Sequence, residues 1–388
     1  MERQQKILNS LKQYPRASRQ ERRAVTDNVL AAIKEAGIEG HIGFDIRGKY
    51  DTAITFESPA EIPQDKMDNL RAILSRRFPD KKILSGVAKD EDTVWKSDSK
   101  NSGHRKEYTE TVWNIHIYIP HDTPDMLGLH EVMTSFEYTH NNHILPLPIG
   151  SLILGEPMVV DLTRMPHMLV GGTSGIGKST LLNNFIISLL YSKAPEELLL
   201  VLIDPKRIEF CDYAPLANAK VLYEPDEVMG ALDAISTEMN RRYEAFRAAG
   251  CKDIQEFNGP MPYIVVVIDE YADLLLTCGE EFERAVCRLA QQSRAAGIHI
   301  IMATGRPNND VVTPRIKANF PGRIALRVNS AEESETILDE PGAEDLEHPG
   351  DVIFPFNGCT YDDINAPFVT PEEIKATVNS LSQNQHER

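Results

Sequence analysis

Gly172-Thr173-Ser174-Gly175-Ile176-Gly177-Lys178-Ser179-Thr180, led into by the apolar stretch Met168-Leu169-Val170, decides how the larger part of this chain must fold. A buried strand ends there and a helix begins near Lys178. Between them the glycines let successive backbone N–H groups turn inward around a polyphosphate, toward which the helix aims its positive end. In this spacing Lys178 is placed for the β- and γ-phosphates and the Ser179 hydroxyl for Mg²⁺. The whole run from Gly172 to Thr180 is therefore the candidate nucleotide cradle.

The second half of such a site lies further along, where Tyr263-Ile264-Val265-Val266-Val267-Ile268 runs into Asp269-Glu270. Six apolar, mostly β-branched residues describe a strand buried on both faces. Two carboxylates at its end are costly without cationic partners, and Mg²⁺ is one such partner. Asp269 is expected to hold the metal and Glu270 to polarise the attacking water. ATP and Mg²⁺ are the cofactors this pairing calls for.

Working outward, strands and helices alternate from Met165 on: strand Met168 to Gly171, helix Lys178 to Tyr191, strand Leu198 to Ile203, helix Asp226 to Ala249. Strand Tyr263 to Ile268, helix Glu280 to Ala296 and strand Ile298 to Thr304 follow. Alternation of this kind gives an α/β fold with a parallel sheet, helices on both faces, and a ligand site at the carboxyl ends of the strands. Strand signals at Arg323 to Val328 and Val352 to Phe354 extend it. Gly150 to Pro166 reads as a hairpin leading into this sheet, and the tail from Ser380 as flexible.

Upstream, Glu21 to Ala36 and Asp65 to Phe78 carry helical apolar spacing, Thr52 to Phe56 reads as a strand, and Trp113, Ile115, Ile117 and Ile119 alternate as in a strand covered on one face. Between Lys89 and Glu110 the sequence is polar and aperiodic, which predicts an exposed loop. The expected organisation is a smaller α+β domain over 1–149, the nucleotide-binding domain over 150–379, and a tail over 380–388.

Composition narrows the class. With 388 residues, 41% hydrophobic and 26% charged, the chain can bury one large or two ordinary cores. No apolar run reaches the roughly 18 residues that would span a bilayer, and the polar start is no signal peptide, so a cytoplasmic protein is expected. Five scattered cysteines form no Cys-x-x-Cys pair, and no carboxylate or cysteine cluster accompanies His140 and His143. Charge is uneven: residues 1–150 carry 21 basic and 22 acidic side chains, residues 151–388 carry 20 and 36. Eight of those 20 basic residues fall between Arg284 and Arg327. A protein that coats nucleic acid with its whole surface is excluded; one that grips it with a few loops is not.

Over residues 150–378 the chain resembles the FtsK/SpoIIIE family of DNA-translocating ATPases. The resemblance rests on Gly155-Glu156-Pro157, Asp161-Leu162 and Met165-Pro166-His167 before the phosphate loop, and on Asp204-Pro205-Lys206 and Glu238-Met239 with Arg241-Arg242-Tyr243. It rests further on Asp269-Glu270-Tyr271-Ala272-Asp273-Leu274, Arg294-Ala295-Ala296-Gly297-Ile298-His299, Ile316-Lys317-Ala318-Asn319, and Thr336-Ile337-Leu338-Asp339 with Gly342-Ala343-Glu344. It implies a RecA-like P-loop ATPase assembled as a homo-hexameric ring, with double-stranded DNA in the pore and ATP at subunit interfaces. By position in the family's motifs, Arg294 and then Arg323 are the candidates for an arginine acting on a neighbour's ATP, Thr304 matches the sensor position, and Arg306 and Lys317 match basic positions used on the phosphate backbone. Arg315 is a further basic side chain nearby. Residues before Gly150 resemble a divergent form of the family's α domain.

Two departures stand out. The family's Ala-Thr-Gln-Arg-Pro is here Ala303-Thr304-Gly305-Arg306-Pro307, so an amide that could sense γ-phosphate is missing. A Ser-x-x-Asp-Ser-Arg run is here Ser330-Ala331-Glu332-Glu333-Ser334-Glu335, acidic where the family is basic. The expectation is an ATP-driven double-stranded DNA translocase without a membrane-spanning N-terminus or winged-helix domain, with a recruiting protein partner left open. The alternatives are a protein-moving ATPase of the type VII secretion kind and a slowly hydrolysing nucleotide-switched DNA clamp.

Overall fold

A strand buried on both faces must be apolar at every position, and one covered on a single face only at alternate positions. Both patterns occur, and the computed structural model assigns them to two compact units. It describes residues 2–14, 19–47, 51–81, 83–97, 105–120, 127–152 and 156–382. The larger unit comprises Met1–Tyr14, Leu127–Leu152 and Glu156–Arg388, the smaller one Pro15–Met126 and Ile153–Gly155.

Helix α1 (Glu2–Ser10) opens the larger unit. The smaller unit follows with α2 (Arg19–Glu35), β1 (His41–Arg47), β2 (Asp51–Ser58), α3 (Gln64–Arg77), β3 (Leu84–Ser97) and β4 (Arg105–Pro120). Its antiparallel sheet has the order β1-β2-β4-β3, and Val29, Ile33, Leu70 and Leu74 of the helices pack on Ile54, Ile115 and Ile117. The loop expected between Lys89 and Glu110 is corrected over its described part, 98–104 lying outside the described residues. Residues 89–97 and 105–110 continue β3 and β4, paired in register from Leu84↔Tyr118 to Ser97↔Arg105. Periodicity reports burial of a face, whereas a ladder is made by the backbone, so a polar ribbon leaves no pattern to read.

The larger unit continues with α4 (Leu129–Met133), α5 (Phe136–Thr139), β5 (Pro146–Ser151), β6 (Pro157–Asp161), β7 (His167–Gly171), α6 (Lys178–Ser192), β8 (Leu198–Ile203), β9 (Ala219–Leu222) and α7 (Pro225–Ala249). Then come β10 (Tyr263–Ile268), α8 (Tyr271–Cys278), α9 (Glu280–Gln292), β11 (Ile298–Thr304), α10 (Pro314–Asn319), β12 (Gly322–Ala325), α11 (Ala331–Leu338), β13 (Asp351–Phe356), β14 (Cys359–Asn365) and α12 (Pro371–Ser382). Ten strands form one sheet in the order β6-β5-β14-β13-β12-β7-β11-β10-β8-β9. From β12 to β9 neighbours are parallel; from β12 to β6 they are antiparallel. Successive residues of β10 enter opposite cores. Val265 and Val267 pack with Phe185 and Leu189 of α6, while Ile264, Val266 and Ile268 pack with Met239 of α7 and Val286 of α9. This two-sided burial explains the unbroken apolar run.

The division differs from the expected boundary at 149/150. β5 pairs with β6 and β14 in the large sheet, and Ile7 and Leu11 are buried in the same core as α6. Helix α1 lies against α12 and α6. The expected strand at Arg323 to Val328 stops at Ala325. The Leu326 N–H still bonds to the carbonyl of Gly171, the last residue of β7, and the Arg327 carbonyl then accepts from Thr173, so from Arg327 on the chain follows the phosphate loop. Residues 380–382 complete α12; the rest of the expected tail lies outside the described residues. Strand β7 has β11 on one side and β12 on the other. The connections diverge at this point, and the crevice they open lies at the carboxyl ends of the strands.

Candidate functional site

Between the last residue of β7 and the first of α6 the backbone makes two left-handed turns, at Gly175 (φ 78°) and Gly177 (φ 111°), where a side chain would be strained. The loop is braced from outside: the Thr173 N–H and hydroxyl both donate to the Arg327 carbonyl (2.9 and 3.2 Å), and the Gly350 N–H donates to the Ile176 carbonyl (3.0 Å). Lys178 is buried, and its ammonium donates to the carbonyls of Gly172 (2.8 Å) and Thr173 (2.7 Å). Burial lowers its pKa, and the nearby Glu270 and Asp269 carboxylates oppose that fall. Ser179 and Thr180 follow in the first turn of α6, a helix with no acidic residue there to repel an anion.

Strand β10 delivers Asp269 and Glu270 to the same crevice, both under a tenth exposed. Burial, reinforced by Glu209, Asp204 and Glu270 and opposed by Lys206, raises the Asp269 pKa to about 7. Asp204 adds a buried Oδ1 with no hydrogen-bond donor. A hydroxyl and a carboxylate are the oxygen donors that suit a hard divalent cation such as Mg²⁺, whose charge would offset the neighbouring carboxylates that raise the Asp269 pKa. No group of three or more His, Cys, Asp or Glu able to hold a metal ion occurs among the described residues, however.

Glu270 itself sits at φ 56°, a costly conformation for a residue with a side chain. Its Oε1 accepts from the Gly305 N–H (2.9 Å) and the Thr304 hydroxyl (3.4 Å), and its Oε2 faces the Lys206 ammonium at 3.2 Å. Gly305 is the point of convergence. A methyl group placed there would lie 2.9 Å from Glu270 Oε2, 3.5 Å from Lys178 Nζ and 3.5 Å from Ser174 Oγ. At this position a side chain would press on Glu270 Oε2, while the main-chain N–H bonds to Oε1.

Arg294 stands elsewhere. It precedes β11, whose seven residues run from the amino to the carboxyl edge of the sheet, so roughly 20 Å separates it from this crevice. It lines a cleft of about 390 Å³ with Tyr243, Asp253, Tyr263 and His299. The loop bearing it is held by the buried Arg242, which donates to the Ala296 carbonyl (2.8 Å) and to Glu238 (2.9 Å). His299 and His167 are buried and neutral, with pKa values pushed down to about 4 and about 3 chiefly by burial. His299 donates through Nδ1 to the Pro166 carbonyl and His167 accepts the Ile300 N–H, so both hold β7 to β11.

The remaining basic candidates divide. Arg306 is 61% exposed and lies 3.7 Å from Asp273; Arg315 is exposed on α10. Lys317 and Arg323 are both paired with Asp339, and Lys317 also donates to the Glu335 carbonyl (3.1 Å) while Arg323 donates to the carbonyls of Lys317 (3.1 Å) and Phe320 (3.3 Å). Those two charges fasten α10, β12 and α11 together. In the sequence, Lys206 stands out only as part of Asp204-Pro205-Lys206. Its place at the carboxyl end of β8, beside β10, was the available signal, since ligand sites gather there. Asp204 Oδ2 accepts the N–H groups of Glu209 (2.8 Å) and Phe210 (3.1 Å), fixing the turn that presents Lys206.

The profile of the FtsK/SpoIIIE family matches residues 128–262 and 258–309. A protein of Brucella melitensis named DNA translocase FtsK is 39% identical over 306 residues, covering 69% of this chain and 38% of its own length. The protein of that name from Rickettsia typhi is 32% identical over 406 residues, covering 95% of this chain and 52% of its own. The chain thus spans about a third to a half of the curated relatives it matches. Among solved structures, the conjugation coupling protein TcpA of pCW3, a monomer form with ATPγS, superposes with a TM-score of 0.60 at 22% identity, over 92% of this chain and 99% of that one. That likeness is one of fold, that of a P-loop ATPase.

Proposed function

The chain belongs to the FtsK/SpoIIIE family, and on that premise we propose that it hydrolyses ATP to move along double-stranded DNA. The carrying observation is the convergence of Lys178, Ser174 and Glu270 on Gly305, which brings the anion cradle, the general-base candidate and the end of β11 within one water's reach. Lys178 and the loop N–H groups hold the polyphosphate. Ser179 and Asp269 hold Mg²⁺, which when bound neutralises charge on the phosphates. Glu270 orients and deprotonates the attacking water, kept in place by Gly305 and Thr304. Arg294 lies too far from the crevice of its own subunit to act there, so it serves the site of an adjacent copy, which a homo-hexameric ring supplies. Arg306 and Arg315 are the exposed cations placed for phosphate contact without base readout; Lys317 and Arg323 are structural.

No helix among the described residues is long and apolar enough to cross a membrane, consistent with action in the cytoplasm. The test is steady-state ATPase activity of the wild type and Lys178→Ala with no DNA, single strands and long duplex at two salt concentrations. Duplex-specific stimulation that vanishes in the variant is expected. Turnover indifferent to DNA would refute the proposal and point to a protein substrate.

A further inference from the structure

Four charged groups form a chain from the interior to the surface. Glu270 Oε2 lies 3.2 Å from Lys206 Nζ, which lies 3.6 Å from Asp273 Oδ2, whose Oδ1 lies 3.7 Å from Arg306 Nη2. Along it, side-chain exposure is 8% at Glu270, 46% at Lys206, 30% at Asp273 and 61% at Arg306, so only the Glu270 end is buried. One end is the general-base candidate and the other is a candidate for phosphate contact.

With Oε2 facing an ammonium and Oε1 facing two donors, little of the Glu270 carboxylate is left to receive a proton from water. The ammonium sits between two carboxylates at nearly equal distances, so a small change at either one decides which of them holds it. Asp273 is neutralised from two sides, by Lys206 and Arg306. If a polyanion takes Arg306, Asp273 keeps only one cation and draws Lys206 toward itself. Arg306 is the most exposed member and the cheapest to move, since an exposed pair contributes little.

We infer that Lys206 idles Glu270 in the absence of DNA, and that Asp273 couples this restraint to Arg306, so that duplex phosphates free the carboxylate for hydrolysis. The inference rests on the DNA-dependent hydrolysis proposed above and makes Lys206 and Asp273 positioning residues rather than catalytic ones.

The experiment measures turnover without DNA and with saturating long duplex at fixed ionic strength, alongside binding of a fluorescent ATP analogue and of duplex, for wild type, Lys206→Met, Lys206→Arg and Asp273→Asn. Lys206→Met is expected to raise DNA-free turnover about five- to tenfold, the effect of about 1 to 1.4 kcal/mol on a barrier, and to lose further stimulation. Lys206→Arg is expected to restore the low DNA-free rate and its stimulation, which loss of a merely structural lysine would not predict. Asp273→Asn is expected to stay low and unstimulated while still binding duplex. DNA-free turnover of Lys206→Met at or below wild type, with analogue binding intact and the wild type stimulated by duplex, overturns the inference and leaves the translocase reading standing. A wild type unaffected by duplex refutes that reading and the coupling with it.

Discussion

Replacing Asp269 by asparagine is expected to stabilise the nucleotide-free protein at pH 8 while removing its Mg²⁺-dependent activity. Burial and three neighbouring carboxylates lift the Asp269 pKa from 3.8 to about 7. At about 1.4 kcal/mol per unit, keeping it ionised costs the native state up to about 4 kcal/mol. The sign follows from linkage: a carboxyl whose folded pKa is raised favours folding below its unfolded value of 3.8, and that contribution is lost as pH climbs through 7. Asparagine keeps the shape without the charge, and an imperfectly paired amide returns about 1 to 3 kcal/mol of the gain. The net at pH 8 is about 1 to 3 kcal/mol, or roughly 2 to 10 °C in Tm for a unit of this size. Between pH 8 and pH 5 the advantage should shrink by about 2 to 3 kcal/mol, because the wild-type carboxyl takes up its proton. Calorimetry in EDTA across that range measures it. Saturation with Mg²⁺ and ATP should reverse the ranking, since wild type gains about 2.7 kcal/mol at a hundredfold excess over Kd. A variant less stable than wild type at pH 8, or an advantage that ignores pH, would refute the reasoning.

Lys178→Ala should cut turnover by at least about a hundredfold with an unchanged far-ultraviolet circular dichroism spectrum, because its ammonium bonds only to carbonyls of its own loop. Arg306→Ala and Arg315→Ala should each weaken duplex binding regardless of sequence and reduce the salt slope by about one, read by fluorescence anisotropy. Lys317→Ala should leave that slope unchanged and instead cost about 1 kcal/mol in urea unfolding, its charge being engaged by Asp339. Glu238, whose carboxyl is held down to about 2 by hydrogen bonds from Arg241 first and Arg242 next, should lose about 1 to 2 kcal/mol on Glu238→Gln at pH 7 after allowance for solvent screening. That stabilisation is present above pH 4.5 and fades as pH falls toward 2, which urea titrations at descending pH would follow.

The parallel half of the large sheet was legible because β8, β10 and β11 are buried on both faces and advertise it in runs such as Leu198 to Ile203. The phosphate loop and the Asp269-Glu270 pair were legible because each is local. What escaped depends on contacts distant in sequence or invisible to burial. The polar ends of β3 and β4 pair through a backbone ladder. Strands β9 and β14 are held by neighbours at the sheet's flanks rather than by a periodic face. Lys317 and Arg323 looked like available cations because sequence displays a charge and not its partner, and their partner is Asp339, well downstream. The Lys206–Glu270 contact joins the ends of two strands whose adjacency, though suggested by topology, fixes no side-chain distance.

Helix α1 and the residues after it are stitched to the far end of the larger unit, where Ser10 shares a hydrogen bond with Thr377 and the Lys12 N–H donates to Glu373, while Arg3 reaches the carbonyl of Lys193 at the end of α6. On the ribosome, α1 is made long before α12, and the whole smaller unit is synthesised in between. Of the two helices that α1 lies against, α6 is made first and α12 last, so the apolar face of α1 stays partly uncovered until that clasp can form. Closing so long a loop is thermodynamically mild, about 0.6 kcal/mol for each doubling of length, but it comes last. Folding of the ATP-binding unit is thereby tied to completion of the chain through α12, and a nascent or truncated product lacking that helix would show water, and chaperones, an apolar seam.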